Sequence, residues 1–298
     1  MLLGTYHAAN VTQGPAHSFF SHLVRTRGID CATVVCHLVR MIDPAVIAGL
    51  RADPALASLR RSLDVYYGDE ARDAAMDALY KRFVGRDGLA FDIGSHVGDR
   101  IGSFRRMGAR VVALEPQPDC ARAIRAIYAG DHDVTLVEAA CGPEPGKLTL
   151  HINSANPTVT TASTDFVRSA GGAGGWEGQI WDRSIEVPVT TLDALITVHG
   201  VPDFIKIDVE GFEADVLAGL NTPLKALSFE FTTIQRDVAY RCLERLAAIA
   251  PYRFDVALGE SQRLTFGRWV EQTAMIGHIA ALPHEANSGD VYAVLGDV

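Results

Sequence analysis

The sequence predicts an α/β protein in which helices cover both faces of a seven-stranded, mostly parallel sheet. Three observations lead to this class. Short apolar runs alternate with amphipathic stretches after Gly88, the first run ends in a glycine-rich turn, and the next run ends in an acid about 20 residues later. Such alternation is typical of parallel strands joined by crossover helices.

The chain before this pattern reads differently. Residues 45–59 and 69–84 have a helical period, and Asp69 can cap the second helix. We therefore interpret 1–84 as a helical N-terminal extension and 85–298 as the sheet domain. The extension is expected to pack on the sheet domain or to form the contact of a homodimer.

The elements of the sheet domain follow in order. We expect strands at 89–93, 111–114, 134–139, 204–207, 226–231, 252–256 and 290–295. We expect helices at 99–107, 120–129, 212–220, 237–250 and 268–274. Extended pieces at 147–152 and 185–189 predict an antiparallel insertion, or lid, over about 147–190.

The first strand is followed by the turn Asp92-Ile-Gly-Ser-His-Val-Gly98. Gly94 and Gly98 let the backbone approach a ligand without a Cβ in the way. The spacing Asp-x-Gly-x-x-x-Gly differs from the dinucleotide fingerprint Gly-x-Gly-x-x-Gly, which disfavours an oxidoreductase. It is the form that S-adenosylmethionine (SAM) enzymes use, so we expect Asp92 near the methionine amine and His96 in the pocket.

The second strand ends in Glu115-Pro116. A proline stops the strand, and the acid can accept two hydrogen bonds from a ribose diol. The end of the third strand in such a sheet contacts the adenine ring, so Glu138, Ala139 and Ala140 are further candidates for cofactor binding.

A buried strand delivers Asp208 and Glu210 to the carboxyl edge of the sheet, where ligands bind. Two acids there are costly to bury unpartnered, so we expect them to meet a cation, a hydroxyl or a ligand. Lys206 either reaches the pocket or forms a structural ion pair. Glu230 ends the next strand, where it either joins Asp208 around Mg²⁺ or is a structural acid.

The insertion contributes polar and aromatic residues. Its Asn153 and Asn156, with several threonines, suit a polyhydroxylated acceptor, and Trp176 and Trp181 can stack on a sugar face. The alternative is a mobile loop without function.

Composition and charge argue against several classes of protein. A net charge of −9 argues against a nucleic-acid partner. The cluster Arg100, Arg105, Arg106 and Arg110 is expected to be a solvated helix face. Five scattered cysteines predict reduced thiols in a cytoplasmic protein, and no signal peptide or run of about 20 apolar residues predicts membrane insertion.

The motifs together resemble one family. The segments at 91–98, 115–116, 139–142, 151–163 and 205–213 are similar to those of the FkbM family of SAM-dependent methyltransferases, and Lys206-Ile-Asp-Val-Glu-Gly211 is the most specific of them. The family motif has Ala-Asn where this chain has Ser95-His96. The resemblance covers residues 85–260.

The resemblance implies a Rossmann-like class I methyltransferase fold and an O-methyltransferase acting on hydroxyls of sugars, polyketides or glycolipids. We expect a sugar unit of a bacterial polysaccharide, glycolipid or glycoside as the acceptor. An aliphatic hydroxyl needs a base or a cation, so Asp208, Glu210 and His151 are the catalytic candidates, with or without Mg²⁺. The alternatives are a polyketide or peptide acceptor, and a SAM-binding scaffold without turnover.

Overall fold

The computed structural model describes residues 42–296. The strands of these residues are β1 (Leu89–Ile93), β2 (Arg110–Leu114), β3 (Val134–Val137), β4 (Ala140–Cys141), β5 (Gly146–Ile152), β6 (Arg183–Thr190), β7 (Phe204–Ile207), β8 (Ala226–Thr232), β9 (Tyr252–Leu258) and β10 (Ser288–Leu295). The α-helices are α1 (Pro44–Ala52), α2 (Arg60–Tyr66), α3 (Glu70–Tyr80), α4 (Asp99–Arg106), α5 (Pro118–Ile127), α6 (Thr164–Ala170), α7 (Leu192–His199), α8 (Glu213–Ala218), α9 (Arg236–Ile249) and α10 (Gln272–Ala281).

Seven strands form the main sheet in the order β3-β2-β1-β7-β8-β10-β9. All neighbours from β3 to β8 pair in parallel, and β10 runs antiparallel to β8 and β9. The predicted seven-stranded, mostly parallel sheet is confirmed. The strand order reverses direction between β1 and β7, and ligands of such sheets bind at this switch point.

The insertion forms a separate small sheet in the order β4-β6-β5, with β5 and β6 antiparallel as predicted. Its long loop contains a helix and a small core of its own. Ser163 caps α6 by accepting a hydrogen bond from the backbone N–H of Phe166. Phe166 then packs with Val159, Ala170 and Trp176 in a small core of its own.

The described part of the N-terminal extension packs on the sheet. Asp69 caps α3 as predicted, and Met76, Leu79 and Tyr80 are buried against strand and helix residues of the sheet domain. The Phe83 and Phe204 rings stack at 4.9 Å. The expected helix at 45–59 is divided by the Asp53–Pro54 step into α1 and a 3₁₀ turn, because proline disfavours helix at the residue before it. The rest of the extension, residues 1–41, lies outside the described residues.

The helix predictions were also incomplete further along the chain. The helix expected at 268–274 is α10, and it begins only at Gln272 because Val270 pairs with Phe254 beside the sheet. The sequence pattern also missed α7, which Thr191 caps through the backbone N–H of Ala194. No helix within 42–296 combines the length and the apolar character that a membrane span needs.

Candidate active site

The glycine-rich turn after β1 lies directly against the turn after β7. Gly94 has φ +86°, and a Cβ at this position would lie 1.9 Å from the backbone carbonyl oxygen of Asp208. Only glycine allows this close approach. Gly98, also at positive φ, begins α4, and it lines neither of the clefts described below.

Glu115 is the fixed acceptor at the end of β2. Its Oε2 accepts a hydrogen bond from the backbone N–H of His96, and its Oε1 accepts one from that of Gln117, both at 2.7 Å. Burial raises the pKa of Glu115 to about 8, although these two hydrogen bonds oppose the shift. Each carboxylate oxygen keeps a lone pair with which it can accept a hydrogen bond from a ligand.

A first cleft of about 560 Å³ opens beside Glu115 at the carboxyl edge of the sheet. It has an apolar wall and a polar wall. The apolar wall is formed by Ile93, Leu114, Pro116, Ala139, Ala140, Leu150 and Phe212. The polar wall includes His96, Glu115, Gln117, Thr160, Asp208 and Glu210. These two walls suit a ligand that presents both apolar and polar groups.

A second cleft of about 540 Å³ adjoins the first. The two share Gly94, His96, Thr158, Asp208 and Glu210. The residues that line only the second cleft are Tyr66, Asp92, Ser95, Asp99, Arg100, Glu230 and Glu260. This lining contains no aliphatic side chain, so the second cleft suits a polar ligand.

Three carboxylates converge where the clefts meet. The nearest oxygen atoms of Asp208, Glu210 and Glu230 lie within 4.8 Å of one another. Burial alone would raise the pKa of Asp208, but the Lys206 ammonium 3.0 Å away and Arg100 lower it to about 2. Burial and the Asp208 charge raise the pKa values of Glu210 and Glu230 well above the ordinary range. These three acids cannot all be ionised at neutral pH without a further cation.

The turn at the end of β1 also carries unpaired polar atoms. Asp92 is 1 % exposed, its Oδ2 has no hydrogen-bond partner, and burial raises its pKa to about 7. His96 Nε2 and Glu230 Oε2 are likewise buried without a partner. Unpaired buried acceptors are costly, so these three atoms indicate a ligand site.

An ion cluster closes the far side of the second cleft. Arg72 and Arg100 both bind Asp99 Oδ2, at 2.7 and 2.9 Å, and both reach Glu260, at 3.2 and 3.3 Å. Arg72 also covers the Tyr66 ring at 4.9 Å. The expected solvated arginine face is therefore wrong at Arg100, which is buried and paired with Asp99 and Glu260.

The other arginines of α4 are also paired. Arg105 binds Asp131 at 2.8 Å and Arg106 binds Asp77 at 2.7 Å. The positive charge of this helix is thus used to join it to its neighbours, which leaves Arg110 as the exposed member of the cluster.

Comparison with known protein families identifies the family of this chain. The model of the methyltransferase FkbM domain matches residues 92–248, more than half of the chain. The chain belongs to the FkbM methyltransferase family. The protein is accordingly a SAM-dependent methyltransferase, as the sequence motifs predicted.

Solved structures give a weaker comparison. The O-methyltransferase from Bacillus cereus in complex with SAH is 12% identical, with a TM-score of 0.43, and the match covers 94% of this chain and 97% of that chain. A TehB-like SAM-dependent methyltransferase from Corynebacterium glutamicum is 11% identical, with a TM-score of 0.42, covering 85% of this chain and 100% of that one. These values carry no argument about the acceptor. No curated protein matches the chain.

Two of the expected site residues lie away from the clefts of this FkbM methyltransferase. Glu138 is exposed and pairs with Arg125, because β3 ends at Val137 rather than 139. His151 lies on β5 next to Leu150, which lines the first cleft. Alternation along the strand therefore turns the imidazole away from the carboxylates. The roles expected for Glu138 in cofactor binding and for His151 in catalysis are not supported by these positions.

The four acceptor residues expected in the insertion are structural. Asn153 and Asn156 donate from their Nδ2 atoms to Gln179 Oε1, at 2.7 and 3.2 Å. Trp176 packs edge-on against Phe166, with ring centroids 5.3 Å apart, and is 9% exposed. Trp181 packs on the same ring and donates to the Val159 carbonyl at 2.9 Å. Trp176 is thus buried within the insertion, whereas Trp181 is half-buried, and neither lines a cleft.

The insertion instead reaches the site through its threonines. Thr160 donates to Gln117 Oε1 at 3.0 Å, and Thr161 donates to the Glu210 carbonyl at 2.6 Å. Thr158 lies between them and the cleft junction, where it lines both clefts. Tyr66 and Glu260 are among the lining residues that motif reasoning missed, and each lies outside the matched family region and carries no local signal.

Proposed function

We propose that the protein is an O-methyltransferase that acts on a hydroxyl of a sugar unit in a bacterial polysaccharide, glycolipid or glycoside. The observation that carries the proposal is the junction of two clefts of different character. One cleft has an apolar wall and a carboxylate suited to a nucleoside, and the other is polar throughout. A polar second cleft favours a sugar over a polyketide acceptor, whose surface is largely apolar.

The first cleft fits SAM. Glu115 has free lone pairs for the ribose diol, and Ala139 and Ala140 supply a small apolar surface for adenine. The absence of a Cβ at Gly94 lets the turn after β1 lie against Asp208 at the junction of the clefts. When bound, SAM supplies an electrophilic methyl group on a sulfonium.

We further propose that Asp208, Glu210 and Glu230 hold a divalent cation, with Mg²⁺ as the physiological ion. Carboxylate oxygens are the ligands that Mg²⁺ prefers, and a dication offsets the charge that these three acids cannot carry together. A cation at this position would make a nearby acceptor hydroxyl more acidic.

Glu115→Ala is expected to weaken binding of S-adenosylhomocysteine (SAH) by at least about 100-fold. The replacement removes two hydrogen bonds to a charged group, worth about 1.5–3 kcal/mol each. Isothermal titration calorimetry measures the effect. Because the Glu115 pKa is raised to about 8, wild-type affinity should also increase as the pH rises from about 6 to 9.

Glu138→Ala is the matched control, since it removes an exposed glutamate at the end of the neighbouring strand. It should bind SAH like the wild type. Equal losses in the two variants would contradict the assignment of Glu115 to the ribose, and absence of SAH binding in the wild type would contradict the proposed cofactor cleft.

Glu230→Gln is expected to weaken Mg²⁺ binding by at least roughly 10- to 100-fold. Losses of this size follow even from mutating residues that only hydrogen-bond the ligands of a metal, and Glu230 is itself a proposed ligand. Glu260→Gln is the control, since Glu260 lines the same cleft but pairs with Arg72 and Arg100. Calorimetric titration of MgCl₂ into the SAH complex of each variant measures the two Mg²⁺ affinities. Identical affinities in the wild type and Glu230→Gln would exclude this cation site.

A further inference from the structure

His96 occupies the boundary between the two clefts. It is one of five residues that line both, and its Nε2 is buried with no hydrogen-bond partner. A ligand that spans the clefts would pass this atom. The neighbouring unpaired atoms, Asp92 Oδ2 and Glu230 Oε2, belong to the second cleft. The unpaired Nε2 therefore marks the position where the contents of the two clefts meet.

The imidazole is held in place from several sides. The His96 backbone has φ +48° and donates its N–H to Glu115 Oε2 at 2.7 Å, so it is fixed to the cofactor cleft. The Nδ1 atom lies 3.6 Å from Cys120 Sγ, and the Tyr66 ring meets the imidazole edge-on at 6.0 Å. A non-glycine residue at positive φ is uncommon, and such backbone strain is concentrated at functional sites.

We propose that His96 is the general base, whose Nε2 accepts the proton of the acceptor hydroxyl as the methyl group is transferred. This inference rests on the proposed O-methyltransferase function. It requires the Nδ1–H tautomer, in which Nδ1 donates to Cys120 Sγ and Nε2 keeps its lone pair. The 3.6 Å contact between Nδ1 and Cys120 Sγ is compatible with this tautomer.

The step balances without a further reactant. The hydroxyl proton moves to His96 Nε2, and the oxygen lone pair forms the new O–C bond. The C–S bond breaks with its electron pair remaining on sulfur, so the sulfonium becomes the neutral thioether of SAH. The imidazolium then returns its proton to solvent.

The surroundings keep the imidazole in its base form. Burial lowers the pKa of His96 to about 4, so the ring is neutral at physiological pH. The nearby Asp99 and Asp208 charges oppose that shift and would stabilise the imidazolium as it forms, whereas Arg100 would not. The other titratable groups that contact His96 or line a cleft with it are Tyr66, Asp92, Glu115, Cys120, Glu210, Glu230 and Glu260.

The other candidates for the base are less suitable. Asp208 is held by the Lys206 ammonium at 3.0 Å, and Asp208 and Glu210 both belong to the carboxylate cluster of the proposed cation site. His151 lines neither cleft. Among the described histidines, His96 alone lines the cleft junction.

The first test needs no acceptor. A long-range ¹⁵N–¹H correlation spectrum of the labelled SAH complex at pH 7 reports which imidazole nitrogen carries the proton, and His96→Asn assigns the signal. Nδ1 should be protonated and Nε2 unprotonated. A proton on Nε2 would overturn the proposal, because that nitrogen could not then act as a base.

The second test measures methyl transfer from tritiated SAM to methyl mannoside, methyl glucoside and methyl galactoside. His96→Asn should lower the rate about 10²- to 10⁴-fold while SAH affinity stays unchanged. Asn is chosen because it tolerates positive φ and keeps the backbone N–H. His96→Gln is the second variant if the first folds poorly. His151→Asn is the matched control and should transfer methyl groups like the wild type.

The outcomes separate the two proposals. Full activity of His96→Asn would overturn the role of His96 and leave the O-methyltransferase function standing. A wild type that binds SAH yet methylates none of the three sugars would count against the sugar acceptor and, with it, against the step proposed for His96.

Discussion

Replacement of Gly94 by alanine is expected to abolish detectable SAH binding and to destabilise the fold by about 2–5 kcal/mol. The new Cβ would lie 1.9 Å from the Asp208 carbonyl oxygen, and the backbone at φ +86° is unfavourable for any residue with a side chain. The overlap involves backbone on both sides, so no rotamer change relieves it. The turn after β1 and the turn after β7 would have to separate, and this would open the boundary between the clefts.

Gly277→Ala is the control for this experiment. It lies within α10, where a Cβ would meet no heavy atom within 4 Å, so alanine should stabilise the helix by about 0.5–1 kcal/mol. Chemical denaturation gives both stabilities, and calorimetry gives SAH affinity. Normal SAH binding by Gly94→Ala would contradict the close contact of the two turns on which the site depends.

The sequence predicted the sheet and the cofactor turn because their causes are local. Each main strand is a short apolar run, and Gly94 and Glu115 follow such runs at a spacing that parallel strands bring to one edge. Asp208 was found in the same way, as an acid directly after a buried strand. These residues could be predicted because a strand end is visible in the sequence. The parallel topology then brings the carboxyl ends of the strands to one edge of the sheet.

Part of the second cleft could not be predicted because its causes are tertiary. Tyr66 and Glu260 reach the second cleft from segments nearly 200 residues apart, through the cluster around Arg72 and Arg100. The motifs of the insertion misled for a related reason, since Trp176 looks the same in a sequence whether it faces a sugar or Phe166. The homodimer stays a prediction, as do the roles expected for residues 1–41.

Lys206 is a buried cation between two acids, one of which, Asp208, lines both clefts. Its side chain is 0% exposed, and its Nζ contacts Asp290 Oδ1 at 2.7 Å and Asp208 Oδ2 at 3.0 Å. Of the two roles expected from the sequence, the structural ion pair is the one that the structure has. Burying an ammonium is costly, so the arrangement is stable only because two carboxylates share the charge.

Lys206→Met is expected to lower the free energy of unfolding by about 3–5 kcal/mol at pH 7, the usual cost of leaving a buried charge without its partner. Methionine matches the length of the lysine stem, so lost packing contributes little. Urea denaturation measures the change. Lys225→Met is the matched control, because Lys225 pairs with Asp203 but is 79% exposed, and pairs of that kind contribute about 0–1 kcal/mol.

The double variant Lys206→Met/Asp290→Asn separates charge from packing. If unpaired charge causes the loss, neutralising Asp290 should restore part of the stability, and lowering the pH should help the single variant because its carboxylates then accept protons. Burial raises the pKa of Asp290 and the Lys206 charge opposes this shift, so Asp290 should accept a proton more readily once the lysine is removed. A double variant less stable than Lys206→Met would instead show that Asp290 has partners beyond the lysine. In that case the buried lysine would be one part of a larger polar network that includes Asp290.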